Sequence, residues 1–125
     1  MSLGQVLIAD DSRIFRALMS EVLRESGLDV LEAANGREAL DRALMARPPL
    51  LILDALMPLL SGFEVLTKLR ERAADYKPVV FIVTAVYKSR RWESEARQQY
   101  HVQEYLEKPL QPEDLLAAIK KHFPE

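Results

Sequence analysis

Five polar residues in this sequence stand at the ends of short apolar runs, and their chemistries complement one another. Asp10 and Asp11 follow Gln5–Ala9, Asp54 follows Leu50–Leu53, Thr84 follows Val79–Val83, and Lys108 comes just past Glu104–Leu106. Three carboxylates gathered in one pocket repel one another, and each favours a nearby cation. With oxygen donors only, the fitting ion is a hard one such as Mg²⁺, which takes one or two carboxylates plus a phosphate oxygen and keeps several waters. A hydroxyl and an ammonium across the same pocket suit the remaining phosphoryl oxygens. An aspartate can itself accept a phosphoryl group, giving an aspartyl phosphate. Each residue alone has an ordinary reading: Asp10 and Asp11 as helix-capping carboxylates, Thr84 as a β-branched strand end, Lys108 as a solvated lysine. The combined chemistry requires that all five share one edge of the fold.

The elements between them meet that requirement. Gln5–Ala9 reads as a strand, and Ser12 stands where a helix N-cap belongs. Ile14, Leu18 and Val22, with Phe15, Met19 and Leu23 beside them, predict one apolar helical face that stops at Gly27. Asp29–Ala33 predicts a second strand. Asn35-Gly36-Arg37-Glu38 resembles a capping box, and Ala39, Leu40, Ala43 and Leu44 form the stripe of a helix ended by Pro48-Pro49. Leu50–Leu53 lacks alternation, as suits a strand buried on both faces. Phe63, Leu66, Leu69 and Arg70 share one side of the next helix. Val79–Val83 is the fourth strand, a polar helix runs from Ser89 to Gln99, and Glu104–Leu106 is the fifth strand. Pro112 fits the N1 position of a last helix whose inner face is Leu115, Leu116, Ile119 and Phe123. Five strand–helix pairs predict an α/β fold, a parallel sheet with helices on both faces. Ligands of such sheets bind beyond the carboxyl ends of the strands, where the five polar residues lie.

Composition narrows the alternatives. The chain has 125 residues, enough for one domain, and Met1–Gly4 reads as a leader. A net charge of −2 argues against nucleic acid or an anionic membrane as the main partner. The absence of cysteine excludes disulfides, thiolate metal sites and cysteine nucleophiles, and fits a reducing compartment. No apolar run approaches the length of a membrane span.

The sequence resembles the receiver domains of two-component response regulators from Val6 to about Phe123. The matching pieces are Val6-Leu7-Ile8-Ala9-Asp10-Asp11-Ser12, Asp54-Ala55-Leu56-Met57-Pro58, Val83-Thr84-Ala85 and Tyr105-Leu106-Glu107-Lys108-Pro109. The resemblance implies a flavodoxin-like (βα)5 sandwich of strand order 2-1-3-4-5. It implies that Asp54 is the phosphoacceptor, that Asp11 binds Mg²⁺ directly, and that Asp10 helps hold the ion. The backbone carbonyl of Leu56 would complete the metal shell. Thr84 and Lys108 would contact the phosphoryl group, Lys108–Pro109 would be cis, and Tyr105 would be the switch aromatic that turns inward with Thr84. The implied protein is cytoplasmic. It takes its phosphoryl group from a sensor histidine kinase or phosphotransfer protein and assists its own phosphorylation and dephosphorylation rather than acting as an enzyme on a metabolite. It passes the signal to an output partner or a fused effector domain, from which this chain would be excised. Homodimerisation through the last two helices and fifth strand is open to the family.

Some positions depart from the family pattern. Ser61 stands where Asp or Asn often precedes the glycine. Leu56 and Val86 occupy two positions that are often polar and guide the attacking water, so slow self-dephosphorylation is expected. The stretch from Thr84 to Lys108 is about two residues longer than usual, and His101-Val102 replaces a small Gly-Ala pair. Trp92, Ala96 and Tyr100 form a helical stripe, read either as core or as a partner surface. Lys88, Arg90 and Arg91 form a basic cluster too small to argue DNA binding, and His101 and His122 read as surface residues. The alternative reading is a phosphorylation-independent interaction module with the same fold. A haloacid-dehalogenase-type phosphohydrolase is disfavoured because neither Asp10 nor Asp54 opens an Asp-x-Asp motif, and a flavin protein because no phosphate loop follows the first strand.

Overall fold

The computed structural model describes residues 3–85 and 90–124, with the backbone alone for residues 90–93 and 96. Strands β1 (Gln5–Ala9), β2 (Asp29–Ala33), β3 (Leu50–Leu53), β4 (Val79–Thr84) and β5 (Glu104–Glu107) alternate with helices α1 (Arg13–Glu25), α2 (Gly36–Ala46), α3 (Gly62–Arg72), α4 (Arg90–Gln99) and α5 (Pro112–His122). All strand pairs are parallel and the sheet order is β2-β1-β3-β4-β5, as expected.

The two-residue period of a strand explains how the sheet buries both faces. Leu7, Ala9, Leu51, Leu53, Val80 and Ile82 face one core with Ala39, Leu40 and Ala43 of α2 and Val65, Leu66 and Leu69 of α3. The alternate residues Val6, Ile8, Leu50, Ile52, Phe81 and Val83 face the other, with Met19 and Leu23 of α1 and Leu115 and Ile119 of α5. Leu3, within the expected leader, is buried in that second core.

Local sequence sets the helix ends. Ser12 accepts the Phe15 amide at 3.3 Å, and Pro112 opens α5. Gly27 takes φ +88°, which permits the paired C-terminal bonds Gly27 N–H to Arg24 O and Leu28 N–H to Leu23 O. The full capping box lies at Ser61–Glu64, so Ser61 caps α3. At α2 the box is displaced: Asn35 accepts from the Glu38 amide, but the Glu38 carboxylate reaches back to the Ala34 N–H instead of that of Asn35.

Two expected placements are corrected, the α1 face and His122, and on α3 Val65 joins the expected side. Ile14 and Leu18 lie on the solvent side of α1, 83% and 47% exposed, because Phe15, Met19, Ser20 and Leu23 are the residues that turn toward the sheet. On α3, Val65 is buried and Arg70 is exposed, its guanidinium donating to the Gln99 carbonyl at 3.1 Å. His122 is half-buried, bonded to Glu104 at 2.7 Å and edge-on to Phe81. β4 and β5 also run one residue further than expected, to Thr84 and Glu107. The replacement of Gly-Ala has a clear outcome: His101 adopts φ +56°, a conformation glycine favours, and Val102 is buried. Tyr100 packs its ring on Phe63 at 4.9 Å. Val86, Lys88 and Ser89, and the side chains of Arg90, Arg91, Trp92 and Ala96, lie outside the described residues.

Candidate functional site

Adjacent strands bring the acidic residues together. The Asp54 amide donates to Ala9 O at 3.0 Å, and the Asp10 amide to Ala33 O at 3.0 Å, so both aspartates continue the sheet ladder by one residue. Their burial follows: Asp10 is 2% and Asp54 7% exposed, while Asp11, one residue further, is exposed. One carboxylate oxygen from each of Asp10, Asp11 and Asp54 lies within 4.8 Å of the other two. This is the one group of three or more potential metal-ligating side chains among the described residues.

The other edge of the site comes from β4 and β5. Thr84 is buried in register with Glu107, and the Lys108 amide donates to Thr84 O at 2.9 Å. The Lys108 ammonium therefore enters the pocket from the β5–α5 turn. It lies 2.7 Å from Asp10 Oδ2 and 3.2 Å from Asp54 Oδ2. Its nearer carboxylate is thus Asp10, not the expected acceptor. The Lys108–Pro109 bond is cis, as expected. Tyr105 is buried in the α2–α3 core. Leu56 projects outward, 62% exposed, while its amide donates to Asp54 Oδ1 at 3.2 Å.

Electrostatics make the pocket short of positive charge. Burial pushes the Asp10 carboxyl up, and this outweighs its bonds from Lys108 and the Ser12 amide. Burial alone would lower the Lys108 ammonium, but its bond to Asp10 and the charges of Asp10 and Asp54 leave it raised. One ammonium against three carboxylates leaves two negative charges, which a single divalent cation would cancel. The all-oxygen donor set, one member of it open to solvent, fits a hard ion that keeps part of its water.

Two residues of α1 that sequence reasoning did not assign to the site hold it from outside. The Phe15 ring lies under the Lys108 ammonium, 4.4 Å from nitrogen to ring centre. The Arg16 guanidinium donates to the backbone carbonyl of Asp10 at 2.6 Å. The available signal was position: both follow the aspartate pair by a single helical turn.

Comparison with known proteins agrees with this geometry. The response regulator receiver domain profile matches residues 6–120. The chain belongs to the response regulator receiver family. This receiver domain is 32% identical to sporulation initiation phosphotransferase F of Bacillus subtilis over 120 residues, which is 96% of the chain and 94% of the relative. It is 30% identical over 116 residues, 93% of the chain, to the B. subtilis alkaline phosphatase synthesis transcriptional regulatory protein PhoP, of which it spans about half the length (47%). The Vibrio cholerae chemotaxis protein CheY4 superposes with a TM-score of 0.86 at 32% identity, covering 96% of this chain and 98% of that one. No helix among the described residues is long and apolar enough to cross a membrane.

Proposed function

We propose that this receiver domain is a phosphorylation-driven switch in which Asp54 accepts a phosphoryl group. The observation that carries the reading is the Lys108 ammonium held between Asp10 and Asp54, beside three mutually close carboxylates. Asp54 is the acceptor because it alone of the three stands at the end of central strand β3, within reach of Lys108 and beside Thr84's strand. A carboxylate oxygen of Asp54 forms the O–P bond as the bond from phosphorus to the donor breaks, and the electron pair leaves with the donor. Lys108 turns from its carboxylates to the incoming phosphoryl oxygens, and the Thr84 hydroxyl donates to another. Asp11, Asp54 and the Leu56 carbonyl would hold Mg²⁺, with Asp10 behind them. The ion supplies charge neutralisation for the phosphoryl oxygens. Tyr105 follows Thr84 and fixes the modified state.

A histidine kinase or phosphotransfer protein is the donor this chemistry fits, in the cytoplasm. The output passes to a partner or to a fused effector domain, and assistance of its own dephosphorylation belongs to the same reading. Incubation with acetyl phosphate and Mg²⁺ tests it, with intact mass as the readout. One phosphoryl group is expected on the wild type and none on Asp54→Ala. An unlabelled wild type would overturn the assignment and leave a phosphate-independent interaction module, and a labelled Asp54→Ala would overturn Asp54 as the acceptor.

A further inference from the structure

Asp10 is fixed at every polar atom. Its amide donates to Ala33 O, its Oδ1 accepts the Ser12 amide at 2.8 Å, and its Oδ2 takes the Lys108 ammonium. The remaining atom, the backbone carbonyl, accepts from Arg16 at 2.6 Å. Arg16 is itself held: its Nε donates to Glu32 Oε1 at 3.2 Å, and the other Glu32 oxygen takes Arg24 at 3.2 Å. The carbonyl belongs to the peptide that joins Asp10 to Asp11, so its orientation sets where the exposed Asp11 carboxylate points.

We infer that Arg16 is a positioning residue for the metal site, aligning Asp11 through the Asp10–Asp11 peptide and braced by Glu32 of β2. This rests on the reading of the acidic cluster as a divalent-cation site. Arg24 is the internal control. It shares the Glu32 carboxylate and also donates to Val30 O at 3.2 Å, but no bond joins it to the β1–α1 turn. A charge effect and a positioning effect have opposite signs. Removing a nearby cation would by charge alone tighten cation binding, whereas releasing the peptide weakens it. Partners that orient a ligand commonly set metal affinity by about 10–100-fold. Arg16 acts through one further peptide, which places it near the lower end.

The experiment titrates Mn²⁺, as a Mg²⁺ surrogate with a paramagnetic signal, into the wild type, Arg16→Met, Arg16→Lys and Arg24→Met, with melting temperatures measured alongside. Arg16→Met is expected to weaken Mn²⁺ binding about tenfold, Arg24→Met to leave it unchanged or slightly tighter, and Arg16→Lys to recover part of the loss. Unchanged or tighter binding in Arg16→Met, or equal weakening in Arg24→Met, would overturn the inference. If Arg16→Met does not fold, Arg16→Lys decides in its place: it keeps the positive charge but loses the guanidinium fork that joins the Asp10 carbonyl to Glu32. Weaker binding is then expected, and wild-type affinity would refute the role. The underlying reading fails separately, if Asp11→Asn binds Mn²⁺ as the wild type does.

Discussion

Gly62 opens α3 beside Asp54, the proposed acceptor, and adding one methyl group there tests how tightly the fold is closed around it. A Cβ on Gly62 would stand 2.5 Å from the Asp54 carbonyl oxygen and 3.3 Å from its carbon. The Gly62 amide also donates to Ala55 O at 3.0 Å, which ties the helix start to the same loop. Ordinary van der Waals contact begins at 3.4 Å, so one backbone segment must retreat by roughly 0.9 Å, and no side chain can rotate to relieve it. Such overpacking costs about 1–3 kcal/mol. Against it stand the better helix propensity of alanine and the lower entropy of its unfolded chain, together about 1 kcal/mol. The net expectation for Gly62→Ala is a loss of about 0–2 kcal/mol, centred near 1 kcal/mol, or a melting temperature lower by roughly 4 °C for a domain of this size. Thermal unfolding followed by circular dichroism measures it. The moved carbonyl belongs to Asp54, so acetyl phosphate labelling should slow as well. A melting temperature above the wild type would refute the argument, because propensity alone predicts a rise.

Other sites give further expectations. The Ser20 hydroxyl is fully buried in α1 without a hydrogen-bond partner, so Ser20→Ala should stabilise the fold by about 1 kcal/mol in urea unfolding; destabilisation would mean the hydroxyl contributes after all. Leu56 offers no polar group to an attacking water, so Leu56→Asn should shorten the lifetime of phosphorylated Asp54, and equal lifetimes would sink the idea. Burial alone would raise the Glu104 carboxyl, but its bond to His122 and the charge of Lys121 outweigh this and hold it below its ordinary value of 4.5. A depressed carboxyl stabilises the fold above the unfolded value and loses that contribution as pH falls through the folded one. The stability deficit of Glu104→Gln should therefore be complete near neutrality and fade below pH 4.5, as measured by denaturant titration across pH; a deficit unchanged on acidification would contradict it.

The sheet and the acidic edge were legible because both rest on short-range patterns. Leu50–Leu53 followed by Asp54 announces a buried strand and its functional end within five residues. Helix faces were less secure. Ile14 and Leu18 have helical spacing, yet hydrophobicity alone does not distinguish an exposed leucine from a core one. What sequence could not supply was the pairing across elements. That Lys108 sits closer to Asp10 than to Asp54, and that Phe15 and Arg16 brace two different arms of the site, depends on how α1 docks against β1, β2 and the β5–α5 turn.

The ladder bonds that carry the aspartates have a consequence for partly open forms of the molecule. The Asp10 and Asp54 backbone amides bond to Ala33 of β2 and Ala9 of β1. Cooperative opening proceeds by units, and a unit retaining β1, β2 and β3 retains both carboxylates at their native spacing. Protection of the Asp10 and Asp54 amides from hydrogen exchange should accordingly match that of the central strands. On the proposed function, rearrangement on the β4–β5 side would proceed while Asp54 stays in place, so the element modified and the elements responding would be separable parts of one sheet.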